Sequence, residues 1–344
     1  MQQHKVKINL SGISKTLLFP LWGRVRLSKE NSSLINDVKA IEIVDQIDHD
    51  FSSYGMIPFE SFLPFPFALR AKHFDDKILE YISKYPQASI VNIGAGLDTT
   101  FYRVDNGLIH WYDLDLPNVI ELRKQLIPET NRTSCIAKSL LDPSWCSEVK
   151  SKEDGVFVII GGVLMYFEES QVKKFLSLLA DNLPGAEIVF DAPSKLDNHI
   201  GAWITQLQPN KQKAFRGAWR EALKNWWQNE PQHEKENLLV ALTTKTKPHS
   251  TNWADLESWW KQINASEKEV ARRDFRDIFS NSILRRWALE DANEMRKWDT
   301  RITVIDQFPL FTNIPRDPSL GINVRKFMDF SERYKLTNIF HLRV

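Results

Sequence analysis

The chain is short of several things, and each shortage removes a class of protein. It holds 2 cysteines in 344 residues, Cys135 and Cys146. That is too few for a disulfide framework or a thiolate zinc site. A reducing, cytoplasmic setting and no metal are expected. Neither charge dominates: 45 Lys and Arg stand against 44 Asp and Glu. The basic footprint of a nucleic-acid binder and a polyacidic tail are both missing. No apolar run approaches the ~18 residues of a membrane helix, and the start of the chain has no apolar signal core. Nucleic acid and membrane are therefore not expected as partners. There is no internal repeat and no low-complexity tract. Glycine is sparse as well, 13 in all, so two of them in one turn, Gly94 and Gly96, stand out.

Aromatic residues are plentiful. Of 12 tryptophans, nine fall between residues 200 and 300: Trp203, Trp219, Trp226, Trp227, Trp253, Trp259, Trp260, Trp287 and Trp298. Such a cluster fits either a lid over an apolar ligand or a helical subdomain with Trp as bulk core.

Around the glycines the sequence alternates. Ser89–Ile93 is a short apolar strand running into the turn Gly94-Ala95-Gly96. Leu108–Asp113 and Thr133–Ala137 are further strands. Gly155–Ile160 is apolar throughout, as a strand covered on both faces should be. Ala186–Asp191 is a fifth strand. Between them, Pro117 suits the first turn of a helix with Val119, Leu122 and Leu126 on its inner face. Glu168 and Glu169 open another, with Val172, Phe175, Leu176 and Leu179 inward. Strands alternating with helices at this spacing predict a parallel α/β sheet with right-handed crossovers.

Four regions follow from the pattern. Residues 1–85 read as a helical N-terminal cap, with Asn36-Asp37 capping a helix and a second helix over Ala68–Lys84. The mixture of Phe59, Phe62, Phe65 and Phe67 with Pro58, Pro64 and Pro66 predicts an aromatic loop before it. Residues 86–194 read as a Rossmann-like core, 195–300 as a Trp-rich helical insertion, and 301–344 as two last strands that complete the sheet.

In open parallel sheets, ligands bind beyond the carboxyl ends of the strands, where strand order reverses. The candidate residues sit at those ends: Gly94, Ala95 and Gly96 after the first strand, Asp115 about twenty residues on, Ser139, Leu140 and Asp142 after the third, Gly161 and Gly162 after the fourth, and Asp191 at the fifth. The ligand class expected is a nucleoside. A dinucleotide fingerprint needs a third glycine where this chain has Thr99. Asp98 would repel a pyrophosphate but can accept from an ammonium group. Both features favour S-adenosylmethionine over a nicotinamide cofactor, and no P-loop motif is present.

Three segments resemble the leucine carboxyl methyltransferase family. They are Asn92–Arg103, Asp113–Ile120 and the Gly-x-Leu-x-Tyr run Gly162–Tyr166. Supporting stretches (Asn9–Arg24, Asp37–Phe51, Pro184–Ser194 and Ile339–Arg343) are similar to the bacterial branch that includes the tetracenomycin polyketide O-methyltransferase. The resemblance implies a class I methyltransferase fold: a Rossmann-like α/β sheet of parallel strands with a final antiparallel strand. It implies S-adenosyl-L-methionine as cofactor. Gly94–Gly96 would underlie its methionine part, Asp115 with Leu116 its ribose, and Ser139 and Leu140 its adenine. Arg70 would take its carboxylate. Tyr166 would face a small-molecule acceptor, and His199 is a substrate-side candidate by location.

Departures from the family are Gly161, where many members have glutamate, Ser139, where many have an acid, and Thr100 in place of arginine. The function expected is O-methylation of a carboxylate or hydroxyl on a small, polyketide-like natural product. Alternatives are methylation of a protein C-terminus, a non-catalytic member that keeps the cofactor fold, and a nicotinamide-dependent oxidoreductase. No His/Asp pair close in sequence announces a general base. His341, like His199, is a candidate only by its place in the chain.

Overall fold

The computed structural model describes residues 5–8, 17–30, 34–51, 64–198, 224, 227–228, 232–242, 244–248, 250–271 and 287–344. It divides into two compact units. The first comprises residues 1–10, 16–200 and 286–344, and the second residues 11–15 and 201–285.

The first unit is built on a seven-stranded sheet. Its strands are β1 (Ser89–Ile93), β2 (His110–Asp115), β3 (Thr133–Ala137), β4 (Val156–Ile160), β5 (Glu187–Pro193), β6 (Thr303–Pro309) and β7 (Thr337–Arg343). The spatial order is β3-β2-β1-β4-β5-β7-β6. The pairs β1–β2, β1–β4, β2–β3 and β4–β5 are parallel. The last strand of the chain, β7, runs antiparallel to both neighbours and slots between β5 and β6. This is the class I methyltransferase sheet. The strand order reverses between β1 and β4, the point where open parallel sheets form a crevice that can take a ligand.

The five residues of β1 and the five of β4 are all buried. Alternate side chains serve opposite faces. Val91, Ile93, Val158 and Ile160 join one core, and Ile90, Phe157 and Ile159 join the other. The longer helices described in the first unit are α1 (Leu18–Glu30), α2 (Val38–Gln46), α3 (Pro64–Lys84), α4 (Pro117–Leu126), α5 (Glu169–Asn182) and α6 (Ile322–Arg333). Helix α5 brings Phe175, Leu176 and Leu179 to the first face, and α3 brings Phe74, Ile78 and Ile82 to the second. Helices α1 and α2 pack with α4 in a third cluster. Burying side chains of this size stabilises by roughly 1.5–3 kcal/mol each.

Several boundaries differ from the sequence-based expectation. Helix α3 starts at Pro64, so Phe65 and Phe67 are helical rather than in an aromatic loop. Pro64 and Pro66 lie in the first turn, where backbone N–H groups have no helical partner to lose. Phe59 and Phe62 lie outside the described residues. Strand β2 runs two residues further than expected, so Asp115 ends the strand rather than following it. Helix α6, between the last two strands, was not expected. Its apolar residues do stand at helical spacing, with Val324 and Met328 buried and Phe327 partly so. Pro117 does open α4, and Glu168 caps α5 in a reciprocal box with Gln171.

The tryptophans divide between the units. Trp287 is buried in the first unit against Phe190, with ring centroids 6.2 Å apart, and Trp298 packs on the same cluster. In the second unit Trp227 and Trp259 are core residues with Leu242, Leu256 and Ile263. Their indole N–H groups donate to Thr251 and Thr246 carbonyls at 2.7 and 3.0 Å. Among the described residues no helix is long and apolar enough to cross a membrane.

Candidate active site

The glycine turn is tied to its neighbour strand. Gly94 and Ala95 N–H both donate to the Leu114 carbonyl of β2, at 2.8 and 3.2 Å. Gly94 has φ +68°, and a Cβ there would collide with Val163 in the loop after β4. Glycine is needed both for the left-handed backbone and for this close approach. The same contact brings the loops after β1 and β4 together at the point where strand order reverses.

Asp115 closes the site on the β2 side. Its Oδ2 accepts from Gly96 N–H at 2.8 Å and its Oδ1 from Leu116 N–H at 2.7 Å. Burial raises its pKa, against the pull of these two donors. Each oxygen keeps a further acceptor site. Leu116 is exposed beside it. After β3, Ser139 is exposed, while Leu140 is buried and its carbonyl accepts from the Trp145 indole at 3.1 Å.

On the other side lie the ends of β4 and β5. Asp191 is 4% exposed. Its Oδ1 accepts from Gly162 N–H at 2.6 Å and its Oδ2 from Arg70 Nη1 at 3.1 Å. Arg70, from α3, lies over the glycine pair. A Cβ on Gly161 would be 3.3 Å from its Nε, and one on Gly162 would be 2.6 Å from Nη1. Tyr166 is half-buried in the turn after Gly162, and its hydroxyl has no partner among the described residues. His199 lies outside the described residues. The described part thus offers an acid at one end and a guanidinium with open N–H groups at the other. That suits a ligand with hydroxyls at one end and an acidic group at the other.

The leucine carboxyl methyltransferase family model matches residues 29–180, from the N-terminal helices through α5. The chain is an S-adenosylmethionine-dependent methyltransferase, and over that stretch it is similar to that family. It is 28% identical over 186 residues to the tetracenomycin polyketide synthesis O-methyltransferase TcmP of Streptomyces glaucescens, covering 54% of this chain and 67% of that one. It is 25% identical over 209 residues to the S-adenosyl-L-methionine-dependent methyltransferase dpfgK of Gibberella zeae, covering 56% and 70%. Among solved structures, a DUF574 family protein of Streptomyces avermitilis aligns with a TM-score of 0.45 at 12% identity, covering 94% of this chain and 96% of that one. That likeness is too loose to carry an argument; the strand order above establishes the fold.

Sequence reasoning missed the charged cluster that grips the methyltransferase's glycine turn. Arg24 Nη2 donates to the Leu97 carbonyl at 3.0 Å. Arg123 Nη1 donates to the carbonyls of Gly96 and Asp98 at 3.0 and 2.8 Å. Three consecutive turn carbonyls are therefore held by two arginines. Arg24 pairs with Asp37 at 2.8 Å, and Arg123 with Asp113 at 2.7 Å. Asp37 does cap α2, through Ala40 N–H, but it also takes Thr99 and Arg103. Burial would raise its pKa; Arg24 and Arg103 outweigh that and hold it low. Arg103 also grips Asp75 with two nitrogens, at 2.7 and 2.9 Å. Burial nonetheless pushes Asp75 up to about 6. Thr100, where the resemblance to the bacterial branch implies arginine, accepts from Arg103 at 2.8 Å.

Asp98 belongs to this cluster. Its Oδ2 accepts from Thr100 N–H at 3.0 Å and Asn92 Nδ2 at 3.2 Å. Burial is outweighed by Arg24, Arg103 and Arg123, so its pKa is lowered. A signal did exist in the sequence: Asn92 and Asp113 are polar residues inside apolar strands, and they face each other in register. His341 is set apart from the site. Its Nε2 lies 2.8 Å from Glu187, at the start of β5, the opposite end of the sheet from the glycine turn. Among the described residues no group of His, Cys, Asp and Glu could hold a metal ion.

Proposed function

We propose that the crevice between the ends of β1 and β4 is the cofactor site, and that the enzyme methylates an oxygen of a small, polyketide-like acceptor. The observation that carries the site is Asp115, held by Gly96 N–H at 2.8 Å beside a glycine turn with no room for a Cβ. In this reading Gly94, Ala95 and Gly96 lie under the cofactor's amino-acid part. Asp115 and Leu116 meet the ribose, Ser139 and Leu140 flank the adenine, and Arg70 with the open backbone of Gly161 receives the amino-acid end. The residues fit the group: an acid with spare acceptor sites suits two hydroxyls, and a guanidinium suits a carboxylate.

Bound S-adenosylmethionine supplies an electrophilic methyl on a sulfonium. The chain's task is to align the acceptor oxygen with it and exclude water. Tyr166, half-buried and with no partner for its hydroxyl among the described residues, and His199 are the acceptor-side candidates. Of the described histidines, His341 is spent on Glu187 at the far end of the sheet and His73 on the Leu310 carbonyl. A carboxylate acceptor is already ionised at neutral pH and needs no base, whereas a phenol of pKa ~10 does. The arrangement favours the carboxylate. The similarity to TcmP supports a polyketide-like skeleton.

The test is methyl transfer from labelled S-adenosylmethionine to aromatic polyketide acids and their phenolic counterparts, read by mass spectrometry. Methyl esters are expected, with a rate flat between about pH 6 and 9. Ethers as the only product, formed at a rate climbing toward the phenol pKa, would replace the carboxylate with a phenol. No transfer to either class would sink the acceptor assignment.

A further inference from the structure

Arg70 and Asp191 form an ion pair unlike the others near the crevice. The pair links α3 to β5, 121 positions apart, and closes on the backbone of Gly162. Both side chains are largely sheltered, at 14% and 5% exposure. Both also have capacity left. Among the described residues, only Nη1 of the Arg70 guanidinium is hydrogen-bonded, to Asp191. Asp191 accepts one hydrogen bond on each oxygen, leaving a lone pair on each. The charges lie side by side at 3.1 Å.

A cation and an anion set side by side, each with unused hydrogen-bonding capacity, are the complement of an α-amino-acid zwitterion. Asp98 is poorly placed for the ammonium half of that task. Its carboxylate is already compensated by Arg24, Arg103 and Arg123 and is hydrogen-bonded within the turn. Gly161, where the family resemblance expects an acid, offers none. Lacking Cβ atoms, Gly161 and Gly162 let the guanidinium lie against the backbone, where it meets Asp191 instead.

We infer that Arg70 and Asp191 together form the receptor for the zwitterionic end of the cofactor, with Asp191 taking the ammonium group. This rests on the cofactor site proposed above. It assigns the acid's role to a strand-end residue 30 positions after the glycine that lacks it, as the numbering of Gly161 and Asp191 gives.

Calorimetric binding of three ligands tests it: S-adenosylhomocysteine, its desamino analogue and its decarboxylated analogue. The wild-type enzyme should bind the desamino analogue at least about tenfold more weakly than S-adenosylhomocysteine, the scale of one charged hydrogen bond. In Asp191→Asn, S-adenosylhomocysteine and the decarboxylated analogue should each weaken about tenfold, and the desamino analogue should not. In Arg70→Ala the pattern should reverse, with the decarboxylated analogue spared. Equal weakening of all three ligands in Asp191→Asn would mean a purely structural role and overturn the inference. So would no weakening of any. If Asp191→Asn does not fold, the wild-type comparison decides alone, and a preference below threefold for the amino-bearing ligand overturns it. Failure of the wild type to bind S-adenosylhomocysteine at all would be a different result, removing the cofactor site itself.

Discussion

Two charged clusters flank the crevice, and they are finished to different degrees. In the cluster that grips the glycine turn, Asp37 takes Arg24, Arg103, Thr99 and its own helix cap. Asp113 takes Arg123, Asn92 and the Trp111 indole. Charge and hydrogen-bonding capacity there are spent on the protein itself. At the ends of β4 and β5, Arg70 and Asp191 satisfy each other only in part. A nearly saturated buried network fixes geometry, because breaking it strands a charge. A half-used pair keeps capacity for a ligand. The first cluster is a scaffold for the turn, and the second has the open capacity that the proposed receptor needs.

The largest expected effect is on the scaffold. Arg123→Ala removes the partner of buried Asp113 and frees the carbonyls of Gly96 and Asp98. Losing one member of a buried pair costs about 3–5 kcal/mol. Urea unfolding should register a loss on that scale; a change under ~1 kcal/mol would erase the contrast between the clusters. Next comes Asp115, which belongs to neither cluster. Asp115→Ala should lower affinity for S-adenosylhomocysteine about a hundredfold, near 3 kcal/mol, with a smaller effect on stability. Unchanged calorimetric affinity would mean the ribose is held elsewhere.

Gly162→Ala probes the receptor more gently. The residue has φ +69°, and its Cβ would press on the mobile end of Arg70. A left-handed alanine costs about 1–2 kcal/mol, seen as a lowered Tm, and affinity for the cofactor product should fall as Arg70 is displaced. A variant with wild-type affinity would show that the Arg70 position is not critical.

The smallest effect is on an unrelated outer pair. The Arg301 side chain beside Asp299 holds that carboxyl at about 2, below the usual carboxylate range. A depressed carboxyl pKa contributes stability that is present above the unfolded value near ~3.9 and is lost as pH falls through the folded value. The stability difference between wild type and Asp299→Asn should therefore be constant above about pH 5, fall through pH 2 and vanish near pH 1. A difference that stays undiminished down to pH 2 would assign it to packing rather than charge.

Much of this molecule was legible residue by residue. The runs of β1 and β4, the stripes of α4 and α5, the cap at Asp37 and the glycine turn all depend on neighbours a few positions away. Local periodicity and turn chemistry record such things directly. Of the elements misjudged, α3 is one where position overrode composition: its prolines fall in a first turn that tolerates them. Helix α6 was legible and missed, since Val324, Phe327 and Met328 stand at helical spacing.

For the site, the sequence by itself determined the turn Gly94–Gly96 and the acid Asp115. The glycines are demanded by the left-handed turn, and the acid is marked by its place at a strand end about twenty residues on. Only the tertiary structure decided what the charged residues do. Arg24 reaches Leu97 across 73 positions and Arg70 reaches Asp191 across 121. It also placed β7 between β5 and β6, and His341 at the end of the sheet where it can take no part. An ion pair depends on distance and burial rather than on spacing along the chain. No pattern within α3 or β5 announces that an arginine on one and an aspartate on the other will meet over two glycines.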